Sequence, residues 1–243
     1  MLEVEALTKR FDGNLALSGV SFTVDHREIV GLIGPNGAGK TTLFNCVAGH
    51  LLPTSGRVVL DGADVTRVPA HRRARHGIGR TFQIVRPFAS MTVREQVTVG
   101  AGVHRYRALL PSLAPRPRRH PAVEQVLADL HLAPVADRRA GQLPLGVQRR
   151  VEIARAEAME PRLLLLDEPG AGLTDVELQE LAEHVRSLRD RGRTVVLIEH
   201  SMDFALSVCD RILVLVDGAL IASGPPAQIR RDPAVIAAYL GEA

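Results

Sequence analysis

A glycine-rich segment near the start of the chain has the residue types and spacing needed to hold a nucleoside triphosphate. Residues 34–41, GPNGAGKT, satisfy the pattern G-x-x-x-x-G-K-[ST]. Glycines let the backbone curl until successive N–H groups point at phosphate oxygens, and the following helix presents its positive end to the same anion. The lysine reaches the β- and γ-phosphates, and the threonine hydroxyl takes one position on Mg²⁺. The residues expected to bind the nucleotide are Gly34, Asn36, Gly37, Ala38, Gly39, Lys40, Thr41 and Thr42.

The segments on either side of this loop match the structure that the pattern requires. A short apolar run ending at Ile33 predicts a strand, and residues 42–50 have the spacing of an amphipathic helix. The same eight-residue pattern also arises by chance, in which case the segment is an ordinary glycine-rich turn. The strand, loop and helix together favour the phosphate site.

A second group of candidate residues follows a run of four leucines. Asp167 and Glu168 come directly after residues 163–166, at the carboxyl end of a predicted buried strand. Open α/β sheets bind ligands at this edge, although acids often follow strands for other reasons. In a chain with a phosphate loop, the pair fits phosphoryl transfer. Asp167 is expected to hold Mg²⁺, directly or through water, and Glu168 to polarise the attacking water.

Three further side chains are candidates because of their positions. His200 ends the next apolar strand and is expected to contact the γ-phosphate, with a helix cap or a core histidine as the alternative. Gln83 ends a predicted strand at the start of a helical region, where it would contact Mg²⁺ and the attacking water. Taken alone, Gln83 is indistinguishable from any polar loop residue. Phe11 precedes a predicted turn, and it either stacks on a base or ends a strand as a core residue.

Composition limits the class of protein. The chain has 243 residues, of which 46% are hydrophobic and 23% charged, as in globular proteins that bury a sizeable core. The net charge of +3 comes almost wholly from arginine, because Lys9 and Lys40 are the only lysines. A preference for arginine explains this charge better than an anionic partner does. Cys46 and Cys209 lie far apart in apolar helical contexts, which favours a reducing, cytoplasmic setting.

The sequence does not predict a membrane-spanning chain. No run approaches the roughly 18 apolar residues of a spanning helix, and residues 1–5 are acidic where a signal peptide is basic. Any membrane role is therefore expected to depend on a partner.

The order of the predicted elements indicates an α/β fold. Residues 1–30 alternate apolar and polar positions around a turn at Gly13 and Asn14, which predicts antiparallel strands. From residue 161 onward strands alternate with helices, which predicts a mostly parallel sheet. The predicted helices are 69–76, 92–103, 122–132, 143–159, 176–189 and 202–208, followed by two small ones at the end. Further strands are predicted at 77–83, 161–168, 194–198, 212–216 and 220–222, with a hairpin turn at Asp61 and Gly62.

A helical region interrupts this α/β pattern. We predict one domain over residues 1–243, in which residues 85–155 form an inserted helical subdomain. The α/β core comprises residues 1–84 and 156–243. Within the insert, four prolines in residues 111–121 predict an exposed basic loop. A solvated loop is favoured over a nucleic-acid site there, because no aromatic residues are interleaved with the arginines.

Over essentially the whole chain, these residues resemble the ATP-binding subunits of ABC transporters. The resemblance implies ATP and Mg²⁺ as cofactors, and a P-loop NTPase (RecA-like) core with an N-terminal antiparallel β subdomain and an inserted helical subdomain. It also aligns Phe11 near the position at which the family has the aromatic residue that stacks on adenine. The corresponding motifs are the Walker A loop (34–41), the Q-loop (Gln83), the Walker B strand (163–167), the catalytic acid (Glu168), the D-loop (171–174) and the switch histidine (His200).

Four stretches are similar to the branched-chain amino acid importers in particular, namely 79–83, 91–93, 198–202 and 238–241. This likeness implies ATP-driven import of branched-chain or similar hydrophobic amino acids through separate permease subunits. The subunit would lie at the cytoplasmic face of the membrane and touch it only through partners, without nucleic acid. Lipopolysaccharide-export ATPases share the tail but usually differ around the glutamine. ATPases of translation or DNA repair usually carry two cassettes or a long coiled coil, and neither is seen in this sequence.

The family's L-S-G-G-Q signature loop is altered. In the family this loop binds the γ-phosphate held by a second subunit, whereas residues 143–148 of this chain are LPLGVQ. Pro144 replaces the serine and lacks both its hydroxyl and a backbone N–H. Gly146 and Gln148 remain as candidate nucleotide contacts. We therefore expect a competent Walker site beside a weakened signature, which favours pairing with a second, related ATPase over a homodimer. A subunit that clamps ATP with low turnover is the alternative.

Overall fold

The structure is a computed structural model that describes residues 1–81, 88–102 and 120–240. The described strands are β1 (Leu2–Phe11), β2 (Asn14–Val24), β3 (Ile29–Ile33), β4 (Ser55–Leu60), β5 (Ala63–Asp64), β6 (Ile78–Arg80), β7 (Leu163–Asp167), β8 (Thr194–Ile198), β9 (Arg211–Val216) and β10 (Ala219–Gly224). The α-helices are α1 (Lys40–Ala48), α2 (Ala70–Arg75), α3 (Val93–Gly102), α4 (Pro121–Asp129), α5 (Leu145–Glu157), α6 (Asp175–Asp190), α7 (Met202–Val208), α8 (Pro226–Ile229) and α9 (Pro233–Leu240). Short 3₁₀ helices cover Ala133–Val135 and Ala140–Gln142.

The predicted parallel sheet is confirmed. In the described residues its order is β10-β9-β3-β8-β7-β6, and β9, β3, β8, β7 and β6 run parallel. Among the described strands of this sheet, β10 alone is antiparallel, as a hairpin partner of β9. Every residue of β3, β7 and β8 is buried, because both faces of the sheet are covered. The carboxyl ends of these three neighbouring strands therefore lie side by side at one edge.

Alternate residues of β3 divide between two hydrophobic cores. Ile29 and Ile33 pack with side chains from the helices α3 to α7. Val30 and Leu32 pack on the other face of the sheet with α1 and the strands β1, β2 and β4. This is the period-2 alternation of a strand that is buried on both sides. The end of β3, from which the phosphate loop departs, is consequently fixed from above and below.

The N-terminal strands form the predicted antiparallel sheet, with the order β2-β1-β4-β5. The predicted hairpin turn at Asp61 and Gly62 is confirmed, since both residues have positive φ between β4 and β5. The first turn lies one residue earlier than predicted. It uses Asp12 and Gly13, both with positive φ, and Asn14 already belongs to β2.

Several predicted boundaries change. The strand predicted at 77–83 is only β6 in the described residues, although the Thr81 N–H still donates to the carbonyl of Leu165. The predicted loop 111–121 lies outside the described residues up to 119, and Pro121 instead begins α4, because its fixed φ suits a first helical position. The helix predicted at 143–159 begins only at Leu145, after Pro144 as its N-cap. The division into a core and an insert stays a prediction.

The helices of the described residues do not include a membrane-spanning segment, because none of them is both long enough and apolar enough to cross a bilayer.

Candidate nucleotide-binding site

The loop that joins β3 to α1 has a backbone that only glycine permits at two positions. Gly34 and Gly39 have φ angles of 150° and 99°. A Cβ atom would lie 1.9 Å from the carbonyl oxygen of Leu215 at Gly34, and 2.5 Å from that of Ala16 at Gly39. Because both neighbours are backbone atoms, neither position can take a side chain. The glycines of the pattern are therefore required by the close approach of the loop to β9 and β2.

Lys40 begins α1 and folds its side chain back over the loop. Its Nζ donates to the carbonyl oxygens of Gly34, at 2.5 Å, and Pro35, at 2.7 Å. The side chain is buried, which holds its charge at the loop. The N-terminal end of α1 adds a partial positive charge at the same place. The loop thus presents two sources of positive potential to an anion.

An open cleft of about 240 Å³ lies over this loop. Its walls are formed by the loop, the first turn of α1 and two side chains from the neighbouring strand ends. The lining residues are Asn36, Gly37, Ala38, Gly39, Lys40, Thr41, Thr42, Glu168 and His200. The structure therefore brings seven of the eight predicted loop residues together with two of the predicted catalytic residues, the acid Glu168 and the predicted γ-phosphate contact His200.

Glu168 and His200 are joined across this cleft. The Nε2 atom of His200 lies 2.8 Å from Oε1 of Glu168. They meet because β7 and β8 are neighbouring parallel strands, and the Glu168 N–H donates to the carbonyl of Ile198 just past the ladder. Glu168 has a φ of 49°, a left-handed conformation that costs about 1–3 kcal/mol in a residue with a side chain. Because of this backbone conformation, the Glu168 side chain does not follow the alternating side-chain directions of β7.

Asp167, the last residue of β7, is 1% exposed. Its Oδ2 atom accepts a hydrogen bond from Nη2 of Arg80 at 3.1 Å. Its Oδ1 atom is also buried but accepts no hydrogen bond from the described residues. Burial raises the pKa of this carboxyl, and the Arg80 guanidinium opposes that rise. A buried carboxylate oxygen without a donor is costly unless a cation takes the place, so Asp167 suits a role as a Mg²⁺ ligand.

The set of oxygen ligands is small, as a nucleotide-bound Mg²⁺ requires. Within residues 1–81, 88–102 and 120–240, no group of three or more His, Cys, Asp or Glu side chains is arranged to hold a metal ion. Mg²⁺ at nucleotide sites typically takes one or two protein oxygens and completes its shell with phosphates and water. Thr41 and Asp167 are the predicted protein ligands that the structure describes. Gln83, the third, lies outside the described residues.

Phe11 lies at the end of β1, outside the lining of the cleft. Its side chain is 42% exposed, so it is not the core residue that was the alternative interpretation. The Nζ atom of Lys9 lies 4.9 Å from the centre of its ring. An exposed aromatic face remains compatible with the predicted stacking on a base.

Gly146 and Gln148 do not line this cleft either. Both belong to the first turns of α5, whose N-cap Pro144 makes no side-chain capping bond. Gln148 is used within its own chain, because its Nε2 donates to the carbonyl of Leu143 at 2.7 Å. Gly146 packs closely against α6, where an added Cβ would lie 3.1 Å from Oε1 of Glu177. The altered signature loop therefore lies beside α6 and contributes neither of these residues to the lining of the cleft.

Two charged residues near the site were missed by sequence reasoning. Arg80 contacts Asp167 as described above, and a charged residue in an otherwise buried strand was the available signal. Glu199 is 3% exposed, and its Oε1 accepts the N–H of Gly170 at 2.8 Å. Burial raises the pKa of Glu199 to about 7. It directly precedes His200, so it connects the loop after Glu168 to the loop after β8.

A protein-family comparison agrees with this geometry. The profile described as "ABC transporter" matches residues 17–171, more than half of the chain. This chain belongs to the ABC transporter ATP-binding subunits. A second profile, described as "Branched-chain amino acid ATP-binding cassette transporter", matches residues 219–243 of the cassette. The predicted family is thus confirmed, and with it the class of enzyme, an ATPase of the ABC type.

Curated relatives match the ABC cassette over its full length. It is 46% identical to the high-affinity branched-chain amino acid transport ATP-binding protein BraF of Pseudomonas aeruginosa, covering 100% of this chain and 98% of that protein. LivG of Salmonella typhimurium, a protein of the same description, is 43% identical with the same coverage. The lipopolysaccharide export system ATP-binding protein LptB of Haemophilus influenzae is 37% identical, again covering 100% and 98%.

Solved structures confirm the predicted fold of an ABC cassette. A nucleotide-free ATP-binding cassette from an ABC transporter has a TM-score of 0.86 and 32% identity, covering 98% of each chain. A cassette described as a dimer in a post-hydrolysis state, bound to ADP and Pi, has a TM-score of 0.81 and 26% identity. That match covers 93% of this chain and 99% of the other.

Proposed function

We propose that this chain is the ATP-hydrolysing subunit of an importer for branched-chain or similar hydrophobic amino acids. Its geometry supports hydrolysis through one observation above all, the Glu168–His200 pair that faces the phosphate loop across the cleft. The substrate class is supported by the 46% identity to BraF and by the branched-chain profile at residues 219–243. Separate permease subunits would carry the amino acid, and the ATPase would bind them at the cytoplasmic face of the membrane.

The proposed roles follow from where the described side chains lie and, for Gln83, from the resemblance alone. Lys40 and the N-terminus of α1 hold the β- and γ-phosphates. Asp167 and Thr41, together with Gln83, would hold Mg²⁺, and the ion would offset the negative charge of those phosphates. Glu168 takes a proton from the attacking water as a general base, and its bond to His200 keeps the carboxylate directed into the cleft. Phe11 stacks on the adenine at the exposed end of β1.

The nucleotide is proposed to lie between two ATP-binding subunits. The signature residues Gly146 and Gln148 lie outside the chain's own cleft, so they would serve a nucleotide held by a partner. Next to them, Leu145 is 56% exposed and Val176 is 66% exposed, an apolar surface at the start of α5 and α6. The dimeric cassette with ADP and Pi supports such a pairing. Since Pro144 weakens the signature, we propose a heterodimer with a related ATPase.

Uptake in cells tests this function. The gene is deleted, and the cells receive either the wild-type chain or Glu168→Gln; uptake of labelled leucine, isoleucine and valine is then measured. We expect wild-type protein to restore uptake and the variant to fail while being present at equal abundance. If the wild-type chain restores growth in an assay of outer-membrane integrity but does not restore amino acid uptake, the result would support the alternative, a lipopolysaccharide-export ATPase.

The low-turnover alternative has its own observation and its own test. Pro144 removes two potential phosphate contacts from the signature, so a subunit that binds ATP and hydrolyses little is a second candidate. Stoichiometric ATP binding without phosphate release, measured with the permease and the partner ATPase present, would favour it. Multiple turnovers that disappear in Glu168→Gln would exclude it.

A further inference from the structure

Arg80 connects the helix of the phosphate loop to the strand that carries Asp167. It is the last residue of β6, and its side chain is only 8% exposed. Its Nη1 donates to Oδ1 of Asn45 on α1 at 2.7 Å, and its Nη2 donates to Oδ2 of Asp167 at 3.1 Å. One guanidinium therefore bridges two elements whose separation decides where a metal ligand lies relative to the phosphate loop.

The plane of this guanidinium is fixed from a third side. The Cζ atom of Arg80 lies 5.9 Å from the ring centre of Phe44, which is 2% exposed. Such a cation–π contact is stronger when it is withdrawn from water. This contact favours the orientation in which the donors of the guanidinium approach Asn45 and Asp167.

The residue after Arg80 holds the backbone of the same aspartate. The Asp167 N–H donates to Oγ1 of Thr81 at 3.0 Å, and the Thr81 N–H donates to the carbonyl of Leu165 at 3.0 Å. Residues 80 and 81 thus secure both the main chain and one carboxylate oxygen of Asp167. The other oxygen, Oδ1, is the one that accepts no hydrogen bond from the described residues.

We propose that Arg80 is a positioning residue for Mg²⁺ binding, which holds Oδ2 of Asp167 so that Oδ1 is the oxygen presented to the metal ion of bound ATP. The proposal rests on the proposed function, because it assumes Mg²⁺ at this nucleotide site. Asn45 extends the same constraint to α1, so that the Asp167 carboxylate and the phosphate loop keep one spacing. Partners that orient a metal ligand in this way commonly change metal affinity by about 10–100-fold when they are replaced.

A purely structural ion pair would behave differently. Breaking a buried pair destabilises the fold without singling out one ligand, because it leaves an uncompensated charge. A positioning role instead predicts a loss that depends on Mg²⁺. Lysine keeps the charge of Arg80 but cannot form a planar fork, so it can reach Asn45 or Asp167 and not both. Arg80→Lys is therefore the informative substitution.

The experiment measures nucleotide affinity of the full-length chain with and without Mg²⁺. Binding of a non-hydrolysable ATP analogue is titrated calorimetrically in Mg²⁺ and in excess EDTA, and thermal unfolding is recorded for each protein. Mn²⁺ replaces Mg²⁺ in a parallel series, in which its electron paramagnetic resonance signal reports the bound ion directly. Asn45→Ala is included because it keeps the ion pair and removes only the connection to α1.

For Arg80→Lys we expect the Mg²⁺-dependent affinity to fall about 10–100-fold while the affinity in EDTA stays within about twofold. Asn45→Ala should show a smaller loss of the same kind, and it carries the test if Arg80→Lys does not fold. Arg211→Lys is the matched control, because Arg211 makes a bidentate pair with Glu28 at the start of β9. It should leave the Mg²⁺ dependence unchanged.

Two outcomes would overturn the proposal. One is an equal loss of affinity with and without Mg²⁺, and the other is a lowered unfolding temperature with unchanged Mg²⁺ dependence. Neither result would contradict the proposed function, because the leucine uptake assay tests that function separately. Conversely, a wild-type chain that binds ATP and Mg²⁺ but does not support uptake would leave the role of Arg80 standing.

Discussion

His200 Nε2 lies 2.8 Å from Glu168 Oε1, and both side chains line the cleft over the phosphate loop. The two residues are 32 positions apart in the sequence and meet because β7 and β8 are adjacent. Glu168 is mostly covered, with 12% of its side chain exposed, whereas 45% of the His200 side chain is exposed. The pair therefore combines an oriented carboxylate with an imidazole that a ligand can still reach.

Glu168→Gln should abolish most hydrolysis without preventing ATP binding. The amide keeps the shape of the side chain and can still bond to His200, but it cannot accept a proton from water. We expect kcat to fall at least about 100-fold, and ATP affinity to change by less than about threefold. Phosphate release and equilibrium binding of ATP measure the two quantities.

The same residues allow a double-mutant cycle. If Glu168 and His200 act as a unit, adding His200→Ala to Glu168→Gln should lower kcat far less than His200→Ala does in the wild-type chain. Glu183→Gln, an exposed acid on α6, is the control for the substitution itself. Fully additive losses in the cycle would show that the contact between the two residues has no part in hydrolysis.

Pro144→Ser should raise hydrolysis by a homodimer of this chain. Serine restores a hydroxyl and a backbone N–H at the signature loop, and one such donor to a transferring group is worth about 100-fold or more in other enzymes. We expect at least a tenfold increase in kcat, measured by phosphate release with the permease present. In a heterodimer with a related ATPase, the increase should be confined to the site that this signature completes.

Pro69→Ser provides a close control for that experiment. Pro69 and Pro144 are both N-caps, of α2 and α5, and neither makes a side-chain capping bond. Serine at either cap should stabilise its helix by about 1 kcal/mol, but only Pro144→Ser should raise kcat. The weakened-signature hypothesis is wrong if the homodimer with its permease already turns over at rates typical of the family and Pro144→Ser changes nothing.

The sequence predicted those parts of the site that are local or that lie at strand ends. Residues 34–41 contain both the glycines that the loop backbone requires and the residues predicted to bind phosphate, so a short pattern was enough to predict where this loop lies. Asp167, Glu168 and His200 could be placed together because parallel strands end at one edge of a sheet. Phe11 could not be decided between two roles, because its exposure depends on where β1 ends relative to its neighbours.

The contacts that depend on strand order were beyond the sequence. Arg80 reaches Asp167 only because β6 pairs with β7, and Glu199 reaches Gly170 only because β8 lies on the other side of β7. No spacing in the chain encodes that order. Helix boundaries failed for a different reason: apolar periodicity continues through Leu143, but Pro144 restricts where α5 can begin.

Glu199→Gln should change how the stability of the protein depends on pH. Burial, with a further contribution from the charge of Glu168, raises the pKa of Glu199 from 4.5 to about 7. Between these pH values the folded protein binds more protons at this carboxyl than the unfolded chain does. Its contribution to the free energy of unfolding therefore falls as the pH rises through this window, and is constant above it.

The expected size is about 3 kcal/mol, at 1.36 kcal/mol for each pH unit of the window. Urea unfolding of wild type and Glu199→Gln at pH 4.5 to 8 measures it. The amide does not titrate and can still accept the Gly170 N–H, so the variant should gain stability relative to wild type as the pH rises. Parallel curves for the two proteins would mean that Glu199 is already ionised in the folded state at pH 5. Glu183→Gln again controls for the substitution.

Arg73→Met should destabilise the fold through the helix of the phosphate loop. Arg73 is 1% exposed, and it donates to the carbonyls of Cys46 and Val47 in the last turn of α1 and to those of Thr66 and Val68. Burial lowers the pKa of its guanidinium to about 10. The carbonyl of Cys46 also accepts the N–H of Gly49 at 3.3 Å. The carbonyl of Val47 belongs to the last turn, where a helix supplies no partner of its own, so removing Arg73 takes away its buried donor.

We expect Arg73→Met to lower the free energy of unfolding by about 2–4 kcal/mol, measured by urea denaturation at pH 7. Arg73→Lys should recover only part of this loss. Its ammonium group can still donate to some of these carbonyls, but it cannot reach those of α1 and those of the segment before α2 at the same time. The neighbouring Arg72 is exposed, so Arg72→Met should stay within about 0.5 kcal/mol of wild type. Lys40 lies at the other end of α1, so the folded fraction of Arg73→Met should retain its affinity for ATP. Equal stability of Arg73→Met and Arg72→Met would refute this account of how α1 is anchored.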